Sequence, residues 1–134
     1  MANIRQNVKL SSYVKGNKGE DIACKFIENK GFHVICRNYM KSWGELDIIA
    51  EKDKDIHFFE VKSVTSNYIN DFYGHKPEEN VDGFKVRQIR RMVMTFLEES
   101  GIGLNIEFNF HVLCVYMNMN THLAKVKWMK NIIL

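Results

Sequence analysis

Residues 44–62 read GELDIIAEKDKDIHFFEVK, and this stretch decides the fold of the chain. Two runs rich in residues that favour β-strands, near 45–51 and 56–64, flank a short charged connector, which is the pattern of a β-hairpin. Each run contains an acid where an apolar residue would be easier to bury: Asp47 lies within Leu-Asp-Ile-Ile, and Glu60 follows two phenylalanines. Two carboxylates near the centre of a sheet need a partner that offsets their charge.

The length of the turn decides whether these two acids meet. Side chains alternate between the two faces of a strand, so Glu60 and Lys62 share one face of the second strand of the hairpin. If the turn comprises residues 53–54 or 52–55, the two acids lie directly opposite one another, whereas an odd-numbered loop without a bulge would place them on opposite faces. The sequence therefore predicts that an even turn gathers Asp47, Glu60 and Lys62 on one face of the sheet.

Opposed carboxylates destabilise a strand pair, because the Cβ atoms of directly paired residues lie only about 4.5–5.5 Å apart, and burial adds a desolvation cost. A hard divalent cation would offset both effects, and Mg²⁺ is commonly held by one or two carboxylates together with water and phosphate oxygens. Lys62 could donate to a metal-bound water or to a phosphate oxygen. The pattern D-x12-E-x-K therefore predicts a Mg²⁺ or Mn²⁺ site for phosphodiester hydrolysis; the alternative is the polar outer face of an ordinary hairpin.

Glu20 offers a third acid. It extends the apolar stripe of a helix predicted over residues 17–30, so its side chain could reach the carboxylate pair. The run Asn17-Lys18-Gly19-Glu20 also fits a capping box, in which the glutamate bonds back to the amide of the residue that caps the helix. The spacing leaves both interpretations open.

The remaining patterns predict a single α/β domain over residues 1–134, with an irregular segment over residues 1–16. Residues 65–81 form a long loop, and such loops inside a compact domain are often functional. The order αβββαββ favours a mixed β-sheet flanked by helices, because the third and fourth strands are joined through a helix. The predicted elements are a helix over 17–30, strands over 32–39, 45–51 and 56–64, a helix over 82–100, and strands over 106–117 and 123–129.

Composition narrows the class of protein. A hydrophobic content of 46% is ordinary for a soluble globular domain. The three cysteines are scattered and lack a C-x-x-C spacing, which indicates reduced thiols in a cytoplasmic protein and no zinc site. No run approaches the roughly 20 apolar residues of a membrane span, and no export signal is evident. We therefore expect a cytoplasmic protein that does not associate with membranes.

Charged residues are distributed unevenly along the chain. Residues 1–18 and 85–91 contain basic residues and no acid, whereas residues 45–60 are strongly acidic. An acidic centre between basic segments suits a polyanion held around a cation site, so we expect a nucleic acid, with DNA favoured, as the partner. Residues on the polar sides of the second helix could contact DNA phosphates; an ordinary solvated helix face is the alternative. These candidate contacts are Lys85, Arg87, Gln88 and Arg91.

Several short motifs in a fixed order carry a resemblance to a known family. They are Gly19-Glu20-Asp21, Arg37-Asn38-Tyr39, Gly44-Glu45-Leu46-Asp47 and Glu60-Val61-Lys62. Together they resemble the YraN-like family of bacterial proteins, a branch of the PD-(D/E)XK nuclease superfamily, over nearly the whole chain.

The resemblance implies a restriction-endonuclease-like core that presents this set to DNA. In such a core Asp47 and Glu60 hold Mg²⁺ or Mn²⁺, with the Val61 carbonyl as a third ligand. Lys62 positions or polarises the attacking water, and Glu20 completes the acidic cluster. The implied protein is a metal-dependent nuclease acting on branched or single-stranded DNA, similar at fold level to archaeal Holliday-junction resolvases. The alternative is a non-catalytic nucleic-acid-binding module on the same fold.

Two positions depart from the family pattern. Val64 stands where the family usually has an arginine, which removes a phosphate contact. His111 stands within Phe-His-Val, where the family commonly has Phe-Asp-Val. The sequence leaves open whether cleavage survives these changes, and it leaves open the oligomeric state, a homodimer included.

Overall fold

A computed structural model of the protein describes the backbone of residues 3–9, 18–66 and 83–134, and the side chains of residues 18–65 and 85–134. The predicted loop over residues 65–81 lies almost entirely outside these ranges. No helix in the described ranges is long and apolar enough to cross a membrane.

Within the described ranges the chain forms a six-stranded mixed sheet with one helix on each face. The spatial order of the strands is β1-β6-β5-β4-β3-β2, in which β4 and β5 are parallel and the other neighbours are antiparallel. The elements are β1 (Asn3–Lys9), α1 (Lys18–Glu28), β2 (His33–Lys41), β3 (Gly44–Lys52), β4 (Asp55–Ser66), α2 (Gly83–Glu99), β5 (Phe108–Asn118) and β6 (Leu123–Met129).

The predicted order αβββαββ is confirmed from α1 onward, as is the mixed sheet. The prediction of an irregular segment over residues 1–16 is wrong for β1, which pairs antiparallel with β6 from Asn3–Met129 to Lys9–Leu123. The stretch NIRQNVK has a weak apolar alternation, so its own pattern does not mark a strand. Its backbone pairs with β6, whose other neighbour is β5, and so extends the sheet by one strand.

Each helix covers one face of the sheet through an apolar stripe. On one side Phe26 and Ile27 of α1 pack in a cluster with Phe59 of β4. On the other side Met92 and Leu97 of α2 pack in a second cluster, which includes residues from β3, β4 and β5. Burying one such side chain fully contributes about 1.5–3 kcal/mol, so these stripes fix both helices against the sheet.

The hairpin of β3 and β4 turns through two residues. Asp53 and Lys54 have positive φ angles of 53° and 70°, and Lys52 pairs with Asp55 on either side of them. Two central residues with positive φ are the mark of the type I′ turn that suits strand twist. The predicted even turn is therefore confirmed, and it sets the register of the hairpin.

Candidate active site

β3 and β4 part at the position of the two central acids. Their pairing runs from Lys52–Asp55 to Ile48–Phe59, and in that register the next pair would be Asp47 with Glu60. Beyond that point β3 continues to pair with β2, and β4 continues along β5. Asp47 Oδ2 instead accepts a hydrogen bond from the Val61 N–H at 2.7 Å. The predicted register is confirmed, but the ladder ends one pair before the acids, and a carboxylate bridges the resulting fork.

β3 also twists at Asp47. Leu46 packs in the cluster of α2 and Ile48 in the cluster of α1, although regular alternation would put both on the same face. On β2 the position between the neighbouring pairs is Asn38, which has a positive φ of 54°. A single residue in the left-handed region rotates its own strand locally, so β2 is irregular at the same level where β3 changes the faces of its side chains.

Because of this twist, Asp47 and Glu60 leave the sheet on different sides. Asp47 lines a cavity of about 550 Å³ beside α1. Glu60 is aligned with Val112, which packs in the cluster of α2, and its carboxylate contacts Lys85 of that helix. Lys62 follows Glu60 by strand alternation. The prediction that one face carries all three side chains is therefore wrong for Asp47, because the twist of β3 changes the direction that the turn length alone would give.

The two acids nevertheless interact across the fork. Burial raises the pKa of Asp47 to about 7, and the charge of Glu60 is the second cause of this rise. The hydrogen bond from the Val61 N–H opposes the shift, while Glu45 and Glu20 add to it. Asp47 is only 7% exposed. A buried carboxyl whose pKa is raised by burial and by neighbouring acids is typical of functional sites.

Glu60 is held asymmetrically. Its Oε1 atom lies 3.4 Å from the Lys62 ammonium and 3.2 Å from the Lys85 ammonium. Its Oε2 atom is buried and has no hydrogen-bond partner among the described residues. Leaving a buried polar atom unsatisfied costs about 1–3 kcal/mol, and more for a charged group. The carboxylate thus has one neutralised oxygen and one oxygen available to a ligand.

Glu20 lines the same cavity as Asp47, as expected of a third acid. It is 8% exposed, and its Oε1 atom accepts a hydrogen bond of 3.1 Å from Arg37 Nε. The capping-box alternative involves Asn17, which lies outside the described side chains. Arg37 was not predicted as a site residue, although it stands in the Arg37-Asn38-Tyr39 motif that contributes to the family resemblance.

A close approach of α1 to β4 brings Glu20 into this position. A Cβ atom at Gly19 would lie 2.6 Å from the Cβ of Ser63, closer than such atoms come in proteins. The first turn of the helix can therefore rest on the strand only because residue 19 lacks a side chain. Gly19 and Ser63 both line the cavity, next to the acids.

The donor set suits a hard cation, although it is not assembled into a closed cluster. In the described part of the chain, no group of three or more histidine, cysteine, aspartate or glutamate side chains is placed to hold a metal ion. Asp47 and Glu60 are carboxylates of the kind that Mg²⁺ and Mn²⁺ prefer, and Glu60 Oε2 has no hydrogen-bond partner within the described ranges. For Val61, the group seen in contact with Asp47 is the N–H rather than the carbonyl. The chemistry of these oxygen donors therefore fits a hard divalent cation, although their present arrangement does not enclose one.

The four candidates on α2 have different surroundings. Lys85 contacts Glu60 inside the site and is not simply part of a solvated face. Arg91 places its guanidinium 4.4 Å from the ring centroid of Trp43, in the turn between β2 and β3. Arg87 is exposed and Gln88 is half-buried. Contact of these four residues with DNA stays a prediction.

The two departures from the family pattern have different surroundings. His111 Nε2 is 2.9 Å from His57 Nδ1, and its Nδ1 atom accepts the Asn131 N–H at 3.1 Å. These residues line a second cavity of about 250 Å³, distinct from the one that holds Asp47. Val64 is half-buried on β4. His111 therefore serves the packing between β4 and β5, where it stacks on Phe59.

Comparison with known proteins places these motifs in a family. Residues 19–115 match the model described as uncharacterised protein family UPF0102. The chain is 40% identical over 107 residues to a UPF0102 protein of Campylobacter lari, which covers 80% of this chain and 88% of that protein. It is 36% identical over 117 residues to a UPF0102 protein of Desulforamulus reducens, covering 87% and 92% of the two chains. The matched residues include both central acids and Lys62.

Proposed function

This chain belongs to the uncharacterised protein family UPF0102, and we propose that it is a metal-dependent nuclease that hydrolyses phosphodiester bonds in DNA. In this proposal the family is the YraN-like branch of the PD-(D/E)XK superfamily, with a restriction-endonuclease-like core and branched or single-stranded DNA as substrate. One observation carries the proposal: two buried, interacting carboxylates stand at a strand fork, and one of them has an oxygen with no hydrogen-bond partner in the described part of the chain.

The electrostatics of the fork favour a cation. Asp47 is buried among acids that raise its pKa, and Glu60 has a buried oxygen that no described residue contacts through a hydrogen bond. A divalent cation would favour the ionised form of both carboxylates, which would hold it from the two sides of the fork, with Glu20 at the rim. Mg²⁺ or Mn²⁺ bound there would supply a Lewis acid for the phosphate and lower the pKa of a bound water.

Lys62 is placed to serve the reacting groups directly. Its ammonium lies 3.4 Å from Glu60 Oε1, and its side chain is 22% exposed. A lysine held beside a ligating carboxylate and still open to solvent can orient a water molecule or donate to a phosphate oxygen. The neighbouring Lys85 adds a second positive charge on the same side of the sheet. The scissile phosphate would therefore approach from the side of α2.

One observation favours a second function, a nucleic-acid-binding module without catalysis. Two lysines already neutralise Glu60 Oε1, and no three potential metal-binding side chains within the described ranges form a group. A site that stays in this arrangement would bind phosphate through its lysines and would not need a metal. Such binding would weaken steeply with salt and would persist in the presence of a chelator.

Cleavage assays with isosteric variants separate these functions. The purified chain is incubated with single-stranded, duplex and branched DNA in the presence of Mg²⁺ or Mn²⁺, alongside Asp47→Asn and Glu60→Gln. Loss of either carboxylate should remove several kcal/mol of transition-state stabilisation, which is roughly 100-fold or more in rate. The matched control is Asp53→Asn, in the turn of the same hairpin and exposed.

The outcomes of these assays separate the nuclease from the binding module. Cleavage that survives in both site variants would refute this active site. Absence of cleavage by the wild-type chain with every substrate and metal, together with chelator-resistant and salt-sensitive DNA binding, would establish the second function. The cytoplasmic location predicted from the cysteines stays a prediction.

A further inference from the structure

Arg37 joins β2 to the start of α1 through the acid that shares a cavity with Asp47. Its Nε and Nη2 atoms each lie 3.1 Å from the same atom, Glu20 Oε1. Nη2 also lies 2.7 Å from Asp21 Oδ1. Two nitrogens of the guanidinium therefore contact the same oxygen of Glu20, and neither contact involves the other carboxylate oxygen.

Arg37 lies close to the fork in the sheet. On β2 it pairs with Ile48, the residue next to Asp47. Glu20 is 8% exposed, whereas Asp21 is 43% exposed. The two contacts of Arg37 thus differ: Glu20 is a buried acid in the cavity, whereas the side chain of Asp21 is largely exposed. A planar guanidinium fixes such a geometry better than a lysine ammonium, which acts as a point charge.

We propose that Arg37 is a positioning residue, which holds Glu20 as the third acid of the metal site formed with Asp47 and Glu60. This inference rests on the proposed function. Arg37 does not touch substrate or metal in this role; it fixes the direction of the oxygen of Glu20 that it does not bind. It also supplies a positive charge in contact with Glu20, in a cavity that Glu45 and Asp47 make acidic.

A purely structural role for Arg37, as a tether between β2 and α1, makes different predictions. A tether would be weakened by loss of either contact, and its loss would lower the melting temperature without changing the affinity of the folded protein for a cation. A positioning role requires that the contribution of Glu20 to cation binding depends on Arg37. The two roles are therefore separated by the coupling between residues 20 and 37.

The test is a double-mutant cycle read on Mn²⁺ affinity, measured by calorimetric titration of the full chain without DNA. The variants are Glu20→Gln, Arg37→Lys, which preserves the charge, and the two combined. Each single change should weaken Mn²⁺ binding about 10-fold, the size expected for loss of an outer partner of a metal site. The combined variant should bind no more weakly than either single variant. The control, Asp21→Asn, changes only the contact with the exposed acid and should leave the affinity unchanged.

Several results would overturn the inference. Independent effects, with Glu20→Gln weakening binding equally in the R37K background, would make Arg37 a tether only. An unchanged affinity in Glu20→Gln would remove Glu20 from the site; if Asp47→Asn and Glu60→Gln still abolished binding, the proposed function would stand while this inference fell. Absence of Mn²⁺ binding by the wild-type chain would overturn both. If Arg37→Lys does not fold, Arg37→Gln takes its place in the same cycle, and the same coupling criterion applies.

Discussion

Replacing Asp47 with asparagine should stabilise the metal-free protein at neutral and alkaline pH, even though the change removes a proposed metal ligand. The pKa of Asp47 is raised from 3.8 to about 7 by burial and by the charge of Glu60. A carboxyl whose pKa is higher in the folded state than in the unfolded state favours folding while it is protonated. That stability is fully present below the unfolded pKa and is lost as pH rises through the folded pKa.

The size of this effect follows from the shift. About three pKa units at about 1.36 kcal/mol each make the ionised Asp47 a cost on the order of 4 kcal/mol above about pH 7. Asparagine carries no charge, and its carbonyl oxygen can still accept the Val61 N–H that Asp47 Oδ2 accepts. The wild-type chain should therefore lose stability between about pH 4 and pH 7, whereas the variant should lack this component.

Urea unfolding in the presence of a chelator, repeated across this pH range, measures the effect. The free energy of unfolding of Asp47→Asn should exceed that of the wild-type chain by a few kcal/mol near pH 8 and match it near pH 4. Asp53→Asn, in the exposed turn, should follow the wild-type curve. A variant that is less stable near pH 8, or a stability difference that does not change with pH, would refute the account of burial and charge given for Asp47.

The remaining predictions concern packing, acid stability and DNA binding. Gly19→Ala should lower the free energy of unfolding measured in urea by about 1–3 kcal/mol, because the added Cβ would meet Ser63. Ser63→Gly, added to this variant, should restore the stability; no rescue would contradict the contact. Burial lowers the pKa of His111 to about 3. The free energy of unfolding should therefore fall as pH drops below about 6.5, by up to about 1.4 kcal/mol per pH unit. An unchanged slope in His111→Phe would contradict this. Arg87→Gln should reduce the salt dependence of DNA binding measured by fluorescence anisotropy, with a slope change of about one; an unchanged slope would remove Arg87 from the DNA interface.

The hairpin could be predicted from the sequence because its signals are local. Runs of residues that favour β-strands mark both strands, and the even turn at residues 53–54 sets their register. The direction of Asp47 could not be predicted in the same way. It depends on a twist of β3 beside Asn38 of another strand, and asparagine in a strand pattern is only a weak sign of a left-handed residue.

The partners of the site residues could not be predicted from local sequence patterns either. Arg37 lies 16 residues from Asp21 along the chain, and its contact with α1 exists only once the helix is packed on the sheet. Lys85 had the spacing of a solvated helix face, yet the packing of α2 brings its ammonium to Glu60. Helix periodicity gives the face that meets the sheet but not the strand residue that a long side chain reaches.

The fork explains why two acids can occupy the centre of the sheet without a paired ladder between them. Direct pairing of Asp47 and Glu60 would oppose two charges at short distance in a buried position. The twist of β3 separates them. Asp47 accepts a hydrogen bond from a backbone N–H, and Glu60 forms ion pairs with two lysines. These contacts do not fully compensate either acid, because the pKa of Asp47 stays raised and Glu60 Oε2 has no hydrogen-bond partner among the residues that the structure describes. Since a cation bound at the fork would stabilise the folded chain by RT ln(1 + [cation]/Kd), Mn²⁺ should raise the melting temperature of the wild-type protein more than that of Glu60→Gln.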